Sequence, residues 1–111
     1  MGTPDGKYLY VADIGANKTY KYTINKNGNL SNRVLVIEQG ADGITLDEVG
    51  NIYLCGNGVT IYNPSGKKIG HIAINEPWTA NLCFGGKNKD VLFITASTAI
   101  YTVKMNVKGV E

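Results

Sequence analysis

At 111 residues the chain has room for one modest domain, and it holds neither a run of 18 apolar residues nor a charged-then-apolar leader, so no membrane span and no signal peptide is expected. Its net charge of +2 comes from lysines scattered over turns and alternate strand positions, a distribution without the basic patch that nucleic acid requires. Fourteen glycines, seven tyrosines and three prolines, without a sustained helical period, give an all-β chain whose compartment the residues leave open.

Three segments repeat one design. The first passes from the turn Pro4-Asp5-Gly6-Lys7 into a strand Tyr8 to Asp13, turns at Gly15-Ala16-Asn17, and leaves through Thr19 to Ile24. After the Asn27-Gly28 turn a further strand is expected around Arg33 to Ile37. The second segment shows a whole meander: Gly43 to Leu46, Ile52 to Cys55, Val59 to Tyr62 and Lys68 to Ile74, joined by Gly50-Asn51, Asn57-Gly58 and Ser65-Gly66 turns that supply the positive φ of tight hairpins. The third has strands at Leu82-Cys83-Phe84, Val91 to Thr95 and Ile100 to Lys104, and no convincing fourth before Lys108-Gly109.

Aligning Tyr8, Ile52 and Leu92 gives spacings of 44 and 40 residues, the period of propeller blades. A closed propeller needs four to eight blades, so the expected fold is a partial β-propeller of about 2.5 four-stranded blades, all within 1–111, with blade pieces at roughly 3–38, 40–75 and 79–108. The first blade is expected to lack its first strand, since only Met1-Gly2-Thr3 precede Pro4. Broken blades at both ends leave unpaired edges that favour self-association.

Cys55 and Cys83 fall inside strands without metal-ligand spacing and read first as buried free thiols, with a disulfide or a reactive thiol as the alternative. His71, the single histidine, lies on an outer strand with no Ser or Asp partner in register and reads as solvent-facing. Trp78 follows Pro77 in a linker between blades, where an aromatic seals packing or faces a ligand.

Three stretches carry a family resemblance: Thr3-Pro4-Asp5-Gly6-Lys7-Tyr8-Leu9-Tyr10-Val11-Ala12-Asp13; Ala41-Asp42-Gly43-Ile44 with Asp47 and Gly50-Asn51-Ile52-Tyr53; and Asn81-Leu82-Cys83-Phe84-Gly85-Gly86 leading to Leu92-Phe93-Ile94-Thr95-Ala96. In order and spacing they resemble the C-terminal portion of the regucalcin and gluconolactonase (senescence marker protein) family of six-bladed β-propellers. The resemblance implies a calcium or other divalent ion at the top of the channel, a site of oxygen ligands. It makes Asp42 the aspartate metal ligand and the possible catalytic base, where the residues alone read as an ordinary Asp-Gly turn. Asn81 opens the next first strand and either lines the substrate or caps backbone. Asp13 closes a channel-proximal strand and either reaches the same cavity or bonds its own turn. The glutamate and asparagine ligands of the family pattern lie upstream of these residues.

The implied function is therefore the C-terminal part of a calcium-dependent sugar lactonase, hydrolysing small aldonolactones by metal-assisted attack of water and weak or inactive as this chain alone. The rival is a non-catalytic propeller module of NHL or YVTN type acting as a scaffold, which the Tyr-Val-Ala-Asp strand at 10–13 fits.

Overall fold

Alternating apolar and polar residues put opposite side chains on opposite faces of a strand, and these strands are apolar on both faces wherever two sheets cover them. The computed structural model describes residues 1–110. It contains ten strands: β1 Tyr8–Asp13, β2 Lys18–Ile24, β3 Leu30–Ile37, β4 Ile44–Leu46, β5 Ile52–Gly56, β6 Gly58–Tyr62, β7 Lys68–Ile72, β8 Thr79–Gly85, β9 Val91–Ala96 and β10 Ile100–Lys104. They form three antiparallel meanders, β1-β2-β3, β4-β5-β6-β7 and β8-β9-β10, arranged as successive blades of a partial β-propeller. No helix occurs among the described residues, so none is long and apolar enough to cross a membrane.

Two apolar seams hold the blades face to face. Tyr10 and Ile37 of the first blade and Leu46, Ile52 and Leu54 of the second form one buried cluster with Ala41. Tyr53, Cys55 and Val59 on the opposite face of the second blade meet Leu82, Phe84, Leu92 and Ile94 of the third, with the Tyr53 and Phe84 rings edge to face at 5.4 Å. The middle blade is thus apolar on both sides, and Ile52, Leu54, Leu92 and Ile94 are all fully buried.

Two details differ from the sequence reading. Met1-Gly2-Thr3 supply a stub of the missing first strand. Gly2 bridges Leu9, the Met1 and Tyr10 backbones exchange hydrogen bonds of 2.9 Å, and Thr3 N–H reaches the Tyr8 carbonyl at 2.9 Å. The repeat also shifts by one position in the first blade. Tyr10 points forward into the first seam, as Tyr53 points forward into the second, so Leu9 and not Tyr8 occupies the place of Ile52 and Leu92. The extra residue is accommodated in the Pro4–Lys7 turn.

The chain beyond β10 returns to the middle blade instead of adding an outer strand. Gly109 bridges Asp47, and Glu48 N–H donates to the Lys108 carbonyl at 2.7 Å. This return ties the third blade to the turn that follows β4.

Candidate functional site

Asp42 precedes β4 by two residues, at the end of the sheets where β1 and β5 finish and β8 begins. Its side chain is exposed, and its Oδ2 accepts a 3.2 Å hydrogen bond from the Trp78 indole N–H. Trp78 is held in turn through its carbonyl, which accepts from the Ser97 N–H at 3.1 Å. Nearby, Glu76 clamps the facing β9–β10 turn by accepting from the Thr98 N–H at 2.7 Å and hydroxyl at 2.6 Å. These hydrogen bonds pull the glutamate carboxyl below its usual range.

Asn81 sits beside the residue after Asp42. A Cβ on Gly43 would lie 2.6 Å from Asn81 Oδ1 and 2.7 Å from its Cα, so glycine is what lets the openings of β4 and β8 touch. Asn81 Oδ1 accepts from the Leu82 N–H at 2.9 Å, the capping role open to it from sequence. Asp13 accepts from Ala16 N–H at 3.1 Å and so closes its own turn. Its backbone nevertheless presses on Gly40, where a Cβ would be 2.3 Å from the Asp13 carbonyl oxygen. Asp13, Asp42 and Asn81 thus lie along one end of the three blades, in that order.

Beneath them Thr79 is fully buried and ties β8 to the β5–β6 turn. Its hydroxyl oxygen lies 2.8 Å from the Gly56 carbonyl and 2.6 Å from that of Gly58, and it accepts from the Gly56 N–H at 3.0 Å. Cys55 lies in the same layer. Burial raises its thiol to a pKa of about 11, with the negative charge of Asp42 adding to the rise and a hydrogen bond from Thr79 opposing it. Cys55 is buried as expected, but Cys83 is exposed: it lies on the opposite face of the third blade, paired with Phe93. His71 is exposed on β7, within 3.2 Å of the Thr60 hydroxyl.

A residue that the sequence reading placed in the family pattern but gave no role organises the lower end of the middle blade. Asp47 is fully buried and accepts hydrogen bonds from Val49 N–H and Asn51 N–H at 3.0 Å, from the Asn51 amide at 2.9 Å, and from the Tyr53 hydroxyl at 2.8 Å. Burial, together with the bond to Asp47 and its charge, holds the Tyr53 phenol far above its ordinary pKa. The signal was present in the turn Asp47-x-x-Gly50-Asn51 with Tyr53 two residues on.

No group of three or more His, Cys, Asp or Glu side chains able to hold a metal occurs among the described residues. A calcium ion takes six to eight oxygens, whereas this end of the chain offers the exposed carboxylates of Asp42 and Asp13, the second already closing its own turn, and an amide oxygen already accepting a backbone hydrogen. The residues present therefore do not make a calcium site by themselves. Two cavities among the described residues lie elsewhere or only border this end. A groove of about 330 Å³ between the first blade and the 63–66 turn is lined by Tyr8, Lys21, Val34, Val36, Pro64 and Ser65 among others. A hollow of about 190 Å³ on the third blade reaches Asn81 through Leu82, Cys83, Phe93 and Thr95.

Comparison with known proteins agrees with this architecture. The sequence is 31% identical to a gluconolactonase of Zymomonas mobilis, over 96% of this chain and 34% of that protein. An X-ray structure with a provisional gluconolactonase assignment superposes with a TM-score of 0.89 and 32% identity, over 99% of this chain and 39% of the other. Regucalcin of Agrobacterium tumefaciens, described as a calcium-binding protein, shares the fold at a TM-score of 0.85 and 21% identity, over 97% of this chain and 45% of its own. The chain spans less than half the length of each. The model of the SMP-30/gluconolactonase/LRE-like region matches residues 2–98, and the chain belongs to that family.

Proposed function

We propose that this chain forms one wall of a gluconolactonase-type site that hydrolyses a small aldonolactone, with Asp42 as the carboxylate that acts on water. The observation that carries the reading is the position of Asp42: exposed, at the opening of β4, against the opening of β8, with one oxygen held by Trp78. The Trp78 bond leaves Oδ1 free to accept a proton. In this reading water adds to the lactone carbonyl carbon as Asp42 takes its proton, the ring C–O bond breaks, and the leaving alkoxide recovers a proton to give the open hydroxy acid. Asn81 and Asp13 line the substrate side of the same end.

The family likeness brings a divalent cation, calcium first, into consideration as cofactor for the intact site. Asp42, with Asp13 engaged in its own turn, is too small a share of such a cage, and no step is assigned to the ion. The chain alone is accordingly a weak or inactive lactonase, and its three-blade portion is read as part of a larger ring. The blade pieces at 3–38, 40–75 and 79–108 are its units.

Aldonolactone hydrolysis, followed with and without calcium in the wild type and Asp42→Asn, tests the reading. Slow hydrolysis that the substitution abolishes supports it. Equal rates in the two proteins would remove Asp42 from the chemistry. Should no hydrolysis rise above buffer, aldonolactone binding by calorimetry decides: binding that Asp42→Asn weakens keeps the reading, and no binding favours the scaffold alternative, for which the groove beside Lys21 and Pro64, remote from Asp42, offers a surface.

A further inference from the structure

At the opposite end of the strands from Asp42, where Tyr8 opens β1, the first and second blades leave a groove of about 330 Å³ between them, lined among others by Tyr8, Lys21, Asn32, Val34, Val36 and Pro64. Its volume lies at the lower end of small-ligand sites, about 300–1,000 Å³. Three features of the chain build it. The 63–66 turn reaches β3 because residue 66 is glycine: its φ is +90°, and a Cβ there would run into the Val36 carbonyl oxygen. Asn63 Oδ1 fixes that turn by accepting from the Ser65 and Lys67 N–H groups at 3.1 and 2.9 Å. Opposite it, β3 carries a bulge: Lys21 pairs with Val34 and Thr23 with Ser31, so Asn32 and Arg33 together face Tyr22. Within the bulge Asn32 holds a left-handed φ of +53°, lines the groove, and makes no side-chain hydrogen bond among the described residues. The third feature is Lys21, whose Nζ lies 4.0 Å from the Tyr8 ring centroid, stacked on the aromatic floor.

Among the described residues Lys21 is the only charged side chain lining the groove, and no carboxylate neutralises it: the one ion pair joins Lys104 to Asp90. The Tyr8 ring attracts the ammonium but leaves its charge in place. We propose that the groove binds a small organic monoanion, a carboxylate carried on an apolar body about the size of one ring. The carboxylate pairs with Lys21 and accepts from the Asn32 amide, while Val34, Val36 and Pro64 cover the body. Val34 is 54% exposed and is the apolar surface that such a ligand takes out of water. One cation among apolar walls selects a monoanion over a phosphate dianion or a nucleotide, whose further charge would be left against those walls without a partner. The site does not depend on the lactonase reading, because it shares no lining residue with Asp42, Asn81 or Asp13.

Titration of the isotope-labelled chain by NMR with phenylacetate, and with phenylacetamide as its uncharged counterpart, decides it on wild type, Lys21→Met and Asn32→Gly. Phenylacetate is expected to give saturable shifts confined to residues around 8, 21–23, 32–36 and 64–65, with a Kd in the millimolar range for so small a ligand. Exchanging the carboxylate for the amide, or Lys21 for Met, weakens binding by about tenfold or more, the loss of a charge-assisted pair. Asn32→Gly weakens it several-fold and keeps the fold, because glycine adopts φ +53° freely. Should Lys21→Met lose cooperative melting, Lys21→Gln replaces it. Absence of saturable shifts up to the solubility limit of phenylacetate overturns the proposal. So do equal affinities for acid and amide, wild-type affinity in either variant, or shifts spread over lysines elsewhere on the surface.

Discussion

The indole N–H of Trp78 donates to Oδ2 of Asp42 across 36 positions of sequence, joining the linker before the third blade to the turn that opens the second. Because Trp78 is itself fixed by Ser97, the orientation of the Asp42 carboxylate is set by the third blade. The two residues are thus expected to differ in weight. If the lactone reading holds, Asp42→Asn removes the proton acceptor and lowers kcat by about 10²- to 10⁴-fold. Trp78→Phe removes only an exposed orienting bond and costs less than about tenfold. Steady-state kinetics on both variants check this, and an equal loss from the two would contradict the division of roles.

Asp47 and Tyr53 predict a stability effect at the opposite end of the middle blade. The carboxylate is buried with four hydrogen bonds, so its desolvation is met by fixed donors. Tyr53→Phe deletes one donor and should cost about 1.5–3 kcal/mol, the range for a bond to a charged group. Asp47→Ala leaves the phenol and the Asn51 amide without their acceptor, and should cost on the order of 3 kcal/mol or more. Urea melts of the three proteins give the values. A Tyr53→Phe midpoint matching wild type would show that this network contributes little.

How legible the molecule was follows from which contacts are local. The ten strands, their division into three, four and three, and the hairpin turns were readable because alternation and turn chemistry are encoded within a few residues, as at Asn27-Gly28 and Ser65-Gly66. The one-position shift in the first blade was not, since Gly6 and Gly50 align by sequence while the faces are set by what Tyr10 and Tyr53 pack against. Residue types suggested Asp42 and Asn81. Their closeness depends on bare backbone at Gly43, and the Trp78 bond on a linker path that no periodicity describes. Asp47 was named without a role because a carboxylate in a turn reads as exposed, whereas the returning chain at Gly109 and the Tyr53 hydroxyl lie against it. Cys83 was misjudged for the converse reason: alternation marks it as facing a sheet, and no sheet among the described residues covers that face.

Gly43 offers a structural check on the site. A methyl group there meets the Cα of Asn81 at 2.7 Å and the Ala80 carbonyl oxygen at 3.0 Å, both backbone atoms that cannot swing aside. Gly43→Ala is therefore expected to push the openings of β4 and β8 apart and to destabilise the fold by about 1–3 kcal/mol, the usual penalty for overpacking. Weaker Trp78–Asp42 coupling should accompany it, seen as a red shift of tryptophan emission as the indole gains water. A variant as stable as wild type with unchanged emission would mean that the two openings are less tightly apposed.

The two cysteines should separate cleanly by chemistry and by pH. Cys83 is exposed and Cys55 fully buried, so a thiol reagent should label one site in the folded chain and both in denaturant, with mass spectrometry locating the first label at Cys83. The Cys55 thiol is raised from 9.0 to about 11 by burial. The unfolded chain thus loses its proton first as pH rises. The stability linked to the neutral thiol is complete below pH 9 and is lost progressively between pH 9 and 11. Tyr53, also raised, adds loss of the same sign once pH passes the ordinary phenol value near 10. Cys55→Ala lowers stability at neutral pH by leaving a small cavity, yet it should flatten the fall between pH 9 and 10, where Cys55 dominates. Melts at pH 7, 9 and 10 on the wild type and this variant measure that flattening, and parallel curves for the two proteins would exclude the thiol as its source.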